Sequence, residues 1–318
     1  MSTTGKITKR MNRKSIRGSL MLLLGAMIWG AAFVAQRVGM DYLGPLSFNG
    51  IRMGMAGIVL LPVIRIADRL RPAYGPPVPG FPSLRHRNLI SAGLLCGTLL
   101  FVSTTLQQIG LVYTTAGKAG FITALYVVLV PLASWGIFRK NPGRWIWVSV
   151  LLAVAGLFLI CVPAGLGWTL NRGDLLVLGC AVCFTGHILA VDHYSPLTDN
   201  LRLSCMQFFV CGILSMIPAV FLEPITLPAV RGVLVPLLYA GVLSGAVAYT
   251  IQIVAQKATP PAVASLIMCL ESVFALLTGT VILGERMSPR ETAGCILMFA
   301  AVILAQLSPL IRKKGQHG

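Results

Sequence analysis

Glu271 lies about ten residues from either end of an apolar run near 261–283. A carboxylate at that depth of a membrane helix costs at least about 2.5–3.5 kcal/mol on insertion scales. It must therefore face a cavity, hold a partner or carry a proton. Two readings follow: a proton-coupling or substrate-amine site, and a structural carboxyl bonded to a neighbouring helix. Gln107 and Gln252 stand three residues after Thr104 and Tyr249, on the same helical faces. Such amides can hydrogen-bond a zwitterionic or polyhydroxyl solute, or act as glue between helices worth about 0.6 kcal/mol. Trp29 lies near the middle of its run, too deep for an interfacial anchor, so it is a cavity wall or a packing residue. His187 carries the side chain that changes charge near neutral pH, or is a hydrogen-bonded packing residue. Cys180, Cys183 and His187 follow a C-x2-C-x3-H spacing on one helix face, but no fourth ligand accompanies them, so no metal site is assigned. Arg52, about a turn and a half into its run, reads as a structural arginine bonding carbonyls or headgroups. Lys118 guides anions or snorkels.

The elements that position these groups are membrane helices. Hydrophobic residues make up 56% of the 318 and charged ones 11%, which excludes an ordinary soluble domain. Ten apolar runs are long enough to span a bilayer: near 19–37, 46–66, 88–109, 117–138, 145–163, 173–191, 203–222, 232–254, 261–283 and 292–310. The basic start before the first run imitates a signal peptide, but the run is long and is read as a retained helix. The eight cysteines fall in or at the edges of these runs and read as small buried hydrophobes, not a disulfide framework.

The chain is written twice. A shift of 145 places Gln107 on Gln252, Leu125 on Leu270 and Tyr126 on Glu271; a shift of 155 places Gly18 on Gly173 and Trp29 on Phe184. The ten extra residues belong to the Arg/Pro-rich stretch from Arg65 to Arg87, which the second half lacks. The net charge of +17 follows the same plan. With a cytoplasmic N-terminus, most Lys and Arg fall in inside segments, at 1–17, 65–87, 139–144 and 312–314. That is the positive-inside pattern, not a nucleic-acid surface, and it places both termini in the cytoplasm. An odd number of spans per half inverts the second half relative to the first. The expected fold is therefore all-α: ten transmembrane helices in two inverted five-helix repeats. The repeats cover 19–163 and 173–310, between basic cytoplasmic segments at 1–18 and 311–318.

Enzyme readings find little support. No G-x-S-x-G, H-E-x-x-H, Walker or Rossmann glycine signature is present, so neither a cofactor nor ATP hydrolysis is expected. Asp192, His193 and Asp199 cluster at one helix end, where loop charges are ordinarily solvated.

A family likeness emerges from particular residues. Ala248-Tyr249, Ala262-Val263-Ala264-Ser265-Leu266, Leu270-Glu271-Ser272-Val273-Phe274-Ala275 and Leu283-Gly284-Glu285-Arg286 resemble the second repeat of EamA-type transporters of the drug/metabolite transporter superfamily. Ile28-Trp29-Gly30, Arg52, and Phe121-Ile122-Thr123-Ala124 with Pro131 resemble the first. The first repeat departs at Phe138-Arg139-Lys140, where the second has Leu283-Gly284-Glu285-Arg286. The resemblance spans about residues 19–308. It implies a bacterial inner-membrane carrier of amino acids, other small metabolites or drugs, often an exporter, working by alternating access. It also implies a central cavity lined by helices 1, 3, 4, 6, 8 and 9. On that basis the candidate solute-binding set is Trp29, Thr104, Gln107, Tyr126, His187, Tyr249, Gln252 and Glu271, with Glu271 also the proton-coupling group; Gln108 is a lining or a packing residue. The expected partners are a small-molecule solute and the lipid bilayer, with no nucleic acid, for a monomer or homodimer. Gly50-x3-Gly54 and Gly241-x3-Gly245 are read as internal packing motifs before dimer contacts. Pro131, Gly245, Pro260 and Pro261 are candidate flexing points. The alternative is a membrane enzyme or flippase acting on a lipid-linked group.

Overall fold

The computed structural model describes residues 3–70, 82–114, 116–139, 141–162, 171–283 and 287–314, so Gly284, Glu285, Arg286 and Lys140 lie outside the described residues, as does the Lys118 side chain. Among the described residues every regular element is a helix. The first half holds α1 (Thr3–Met40), α2 (Pro45–Leu70), α3 (Pro82–Tyr113), α4 (Ala116–Ala124), α5 (Tyr126–Phe138) and α6 (Arg144–Cys161). The second holds α7 (Arg172–Tyr194), α8 (Asn200–Leu222), the short α9 (Leu227–Gly232), α10 (Leu234–Leu238), a π-helical segment (Tyr239–Tyr249), α11 (Thr250–Gln256), α12 (Pro261–Met268), α13 (Glu271–Leu283) and α14 (Pro289–Lys314). Read as crossings, α4 with α5, α10 with the π segment and α11, and α12 with α13 each make one. Nine stretches among the described residues are long and apolar enough to span a membrane, and Ile16–Ala32 supplies a shorter apolar stretch of α1. The molecule is a multi-pass, all-α bundle of two five-crossing repeats.

Local chemistry sets the ends. Four helices begin on Pro (Pro45, Pro82, Pro261 and Pro289), whose missing N–H costs nothing in a first turn. Asn171 and Asp174 form a reciprocal cap on α7, each side chain accepting from the other's backbone N–H. Asp199 caps α8 by accepting from Leu201 N and Arg202 N.

The largest packing contacts join α2 to α8, α3 to α7 and α6 to α14. Small residues allow the closest of them. Gly212 of α8 lies against Gly50 and Gly54 of α2, where an added Cβ would sit 3.1 Å from Gly54 N. Gly241 and Gly245 lie against Arg52, Met55 and Ala56 of α2. Both G-x3-G motifs thus pack inside the chain.

The repeat is visible in matched contacts. At one end of the α2–α8 pair, Glu223 accepts from Leu46 N (2.9 Å), Ser47 N (2.7 Å) and Ser47 Oγ (2.6 Å), tying the end of α8 to the start of α2. At the other end Asp68 accepts from the Arg202 guanidinium at 2.8 Å, tying the end of α2 to the start of α8. The 155-residue shift carries Asp68 onto Glu223 and Ser47 onto Arg202. One antiparallel pair therefore carries an acid-to-N-terminus tie at each end, related by the pseudo-two-fold.

Two crossings are broken at matched positions. Leu125 interrupts α4 and α5, and Cys269 and Leu270 interrupt α12 and α13. At both breaks the ladder tightens to i−3 bonds, from Leu125 N to Ile122 O and from Leu270 N to Ile267 O. The proposed hinge prolines sit elsewhere: Pro131 is inside α5, while Pro260 and Pro261 start α12. Gly245 falls within the π segment.

Candidate functional site

The breaks bring the two halves together at the centre. Cys269 Sγ donates to Ala124 O at 3.5 Å, and the Tyr126 hydroxyl donates to Glu271 Oε1 at 3.4 Å. Each pair is separated by 145 residues, so each residue touches its own repeat partner. Two residues related by a two-fold can meet only beside its axis, which places the carboxyl on the pseudo-symmetry axis of the bundle. Discontinuous helices at the repeat interface are where carriers of this architecture place their sites.

A cavity opens beside this contact, holding about 560 Å³ of empty space when its opening to solvent is counted. Its walls come from α1, α2, α3, the broken α4–α5 and α12–α13 crossings, α7, the π segment and α11. Trp29, Gln107, Tyr126, Tyr249, Gln252 and Glu271 of the expected set line it. Trp29 is held there by a bond from its indole N–H to Ser244 O (3.2 Å) and an edge contact with Tyr249, ring centres 4.9 Å apart. The two glutamines reach the cavity through different partners. Gln107 donates to Thr123 Oγ1 at 3.2 Å, whereas Gln252 donates to Gln256 Oε1 at 3.0 Å, and Gln256 donates onward to Ile188 O. The asymmetry has a plain cause: the repeat partner of Thr123 is Met268, which offers no hydroxyl.

Two expected residues stand off the cavity wall. Thr104 accepts from Asn49 Nδ2 at 3.0 Å and donates to Leu100 O, which commits its hydroxyl to the α2–α3 seam. His187 is fully buried behind Tyr249, its Nε2 3.0 Å from Gln207 Oε1 on α8. Cys180, Cys183 and His187 assemble no metal cluster among the described residues.

The cavity also holds residues the sequence reading left out of the solute set: Gln36, Arg52, Thr123, Phe184, Ile188, Ser244 and Met268. Phe184 had a signal, because it is the repeat partner of Trp29, and Gln36 lies two helical turns beyond Trp29 on one face. Arg52 matters most. It is 3% exposed and lines the cavity, and its partners are neutral amides. Its Nε and Nη2 donate to Asn49 Oδ1 (3.0 and 2.9 Å), and its Nη1 donates to Gln36 Oε1 (3.1 Å). Gln108 Nε2 adds a donation to the same Gln36 oxygen at 3.3 Å, so Gln108 packs into this network.

Comparison with known proteins agrees with this architecture. The model of the EamA-like transporter family matches the chain twice, over residues 16–162 and 171–307. An uncharacterized transporter of Archaeoglobus fulgidus is 32% identical over 294 residues, covering 92% of this chain and 87% of the relative. The uncharacterized inner membrane transporter YedA of Escherichia coli is 22% identical, covering 91% and 92%. A solved crystal structure of a protein 16% identical in sequence superposes with a TM-score of 0.73, over 91% of this chain and 96% of its own, which shows a shared fold. With its ten crossings, two repeats and a cavity between them, the chain belongs to the EamA-like transporter family.

Proposed function

We propose that the protein is a secondary carrier that exports amino acids or closely related polar metabolites across the bacterial cytoplasmic membrane. Both termini lie in the cytoplasm, and the halves alternate access to the central cavity. The observation that carries the reading is the placement of Glu271: a carboxyl beside the pseudo-two-fold axis and a cavity, held among the described residues by one long bond from Tyr126. A group on the axis is equivalent with respect to both membrane faces, which suits a residue that must serve both. Among the described residues its hydrogen-bond partner is Tyr126 at long range, which leaves it able to exchange a proton for a substrate ammonium. The breaks at Leu125 and Leu270 support the motion, because each frees a crossing to bend at the level of the site.

The wall chemistry supports the solute class. Trp29, Tyr249 and Phe184 supply apolar surface, while Gln107, Gln252, Thr123 and Ser244 supply donors and acceptors. The test is a flux screen in proteoliposomes with pooled amino acids and metabolites. Saturable, protein-dependent movement of amino acids is expected. Turnover or flipping of a lipid-linked group with no soluble solute moved would overturn the reading, as would strict preference for phosphate esters.

A further inference from the structure

We propose that Arg52 is the carboxylate-binding residue of the cavity, opposite in charge to Glu271, so that the site selects solutes bearing a free carboxylate together with an amine. This deepens the carrier reading and rests on it. A guanidinium in a membrane bundle is costly and stays charged, so it is kept where it pairs, lines water or serves function. Here burial is nearly complete, yet no ion pair to Arg52 occurs among the described residues. Its hydrogen bonds end on two amide oxygens, which orient the charge without cancelling it.

The geometry of those bonds leaves room for a ligand. Nε and Nη2 both point at Asn49 Oδ1, which occupies one edge of the planar fork. Nη1 uses one N–H on Gln36 Oε1. Among the described residues one N–H on each terminal nitrogen has no partner, so the guanidinium keeps two donors for a carboxylate. The supporting shell is itself fixed: Asn49 Nδ2 donates to Thr104 Oγ1 and to Ser215 Oγ (2.9 Å), and Phe48 lies 6.0 Å from the guanidinium carbon. The guanidinium is thus held in place by amide oxygens, with two N–H donors unclaimed among the described residues, in the wall of a cavity that also carries Glu271.

The experiment is a thermal-shift titration of the purified full-length chain with glycine, L-alanine, L-leucine and L-phenylalanine, each against its amide. Amino acids stabilise the wild type at lower concentration than their amides. In Arg52→Gln the half-stabilising concentration of the amino acids rises by about tenfold or more and the preference over amides disappears. Gln36→Glu keeps the arginine but supplies an internal carboxylate, and it abolishes the same preference; it decides the question alone if Arg52→Gln does not fold. A preference retained in either folded variant overturns the assignment while leaving the carrier intact. So does a wild type that binds amides as well as acids. A wild type stabilised by none of the probes overturns the amino-acid reading and the carboxylate site with it.

Discussion

The hydroxyl of Tyr126 donates to Oε1 of Glu271 at 3.4 Å, and the two residues are each other's repeat partners. The bond therefore joins the halves at the one line about which they are related. A 3.4 Å separation is long for a hydroxyl on a carboxyl oxygen, where about 2.5–3.0 Å is usual. The carboxyl is oriented by Tyr126 but not saturated by it. Tyr126→Phe should therefore remove no more than about 1 kcal/mol of stability, measured as a small drop in melting temperature in detergent. It should nonetheless change transport, because the carboxyl loses the one hydrogen bond that anchors it among the described residues. Unchanged kinetics in the Phe variant would detach Tyr126 from the site.

The matched ties at the ends of α2 and α8 differ in strength. Glu223 accepts three bonds, two of them from the free N–H groups of a helix start. Asp68 and Arg202 form a single pair with side chains 48% and 46% exposed for Arg202 and Asp68 respectively. Glu223→Gln should cost about 1–2 kcal/mol of stability, while Asp68→Asn should cost less than about 1 kcal/mol. Equal losses in side-by-side melting curves would contradict the pairing described.

Gly30 lets α1 approach the broken ninth crossing directly. An added Cβ would lie 2.6 Å from Phe274 Cβ and 2.7 Å from both Ala275 N and Glu271 O. Two of these neighbours are backbone atoms that cannot turn away. Gly30→Ala should thus push α1 off α13, lower stability by about 1–3 kcal/mol and disturb transport through the displaced Glu271 backbone. Gly54, beside which an added Cβ meets nothing within 4 Å, is the control, and Gly54→Ala should be tolerated. Equal tolerance at both positions would refute the close contact.

The repeat and the crossings were legible because each crossing must satisfy its own backbone bonds in lipid, and that demand writes long apolar runs. The breaks were not legible. Leu125 and Leu270 are ordinary helix formers, and no Gly or Pro marks either point. Tertiary contact, the Cys269–Ala124 bond included, holds a local geometry that propensity does not encode. Of the site, the residues readable along a single helix were found: Glu271 by depth, and the glutamines by repeat. Arg52 was read as structural because its place in the cavity depends on Gln36 from another helix, and no one-dimensional spacing records that meeting. Thr104 and His187 sat on the right faces, but hydrogen bonds to Asn49 and Gln207 claim them.

The most direct test of the central claim is flux in proteoliposomes of wild type and Glu271→Gln side by side, with and without an imposed pH gradient. Wild type should show a gradient-dependent flux that loses its response to the gradient in the variant, while any residual movement stays specific. An undiminished gradient response in Glu271→Gln would contradict the account and return Glu271 to a structural role.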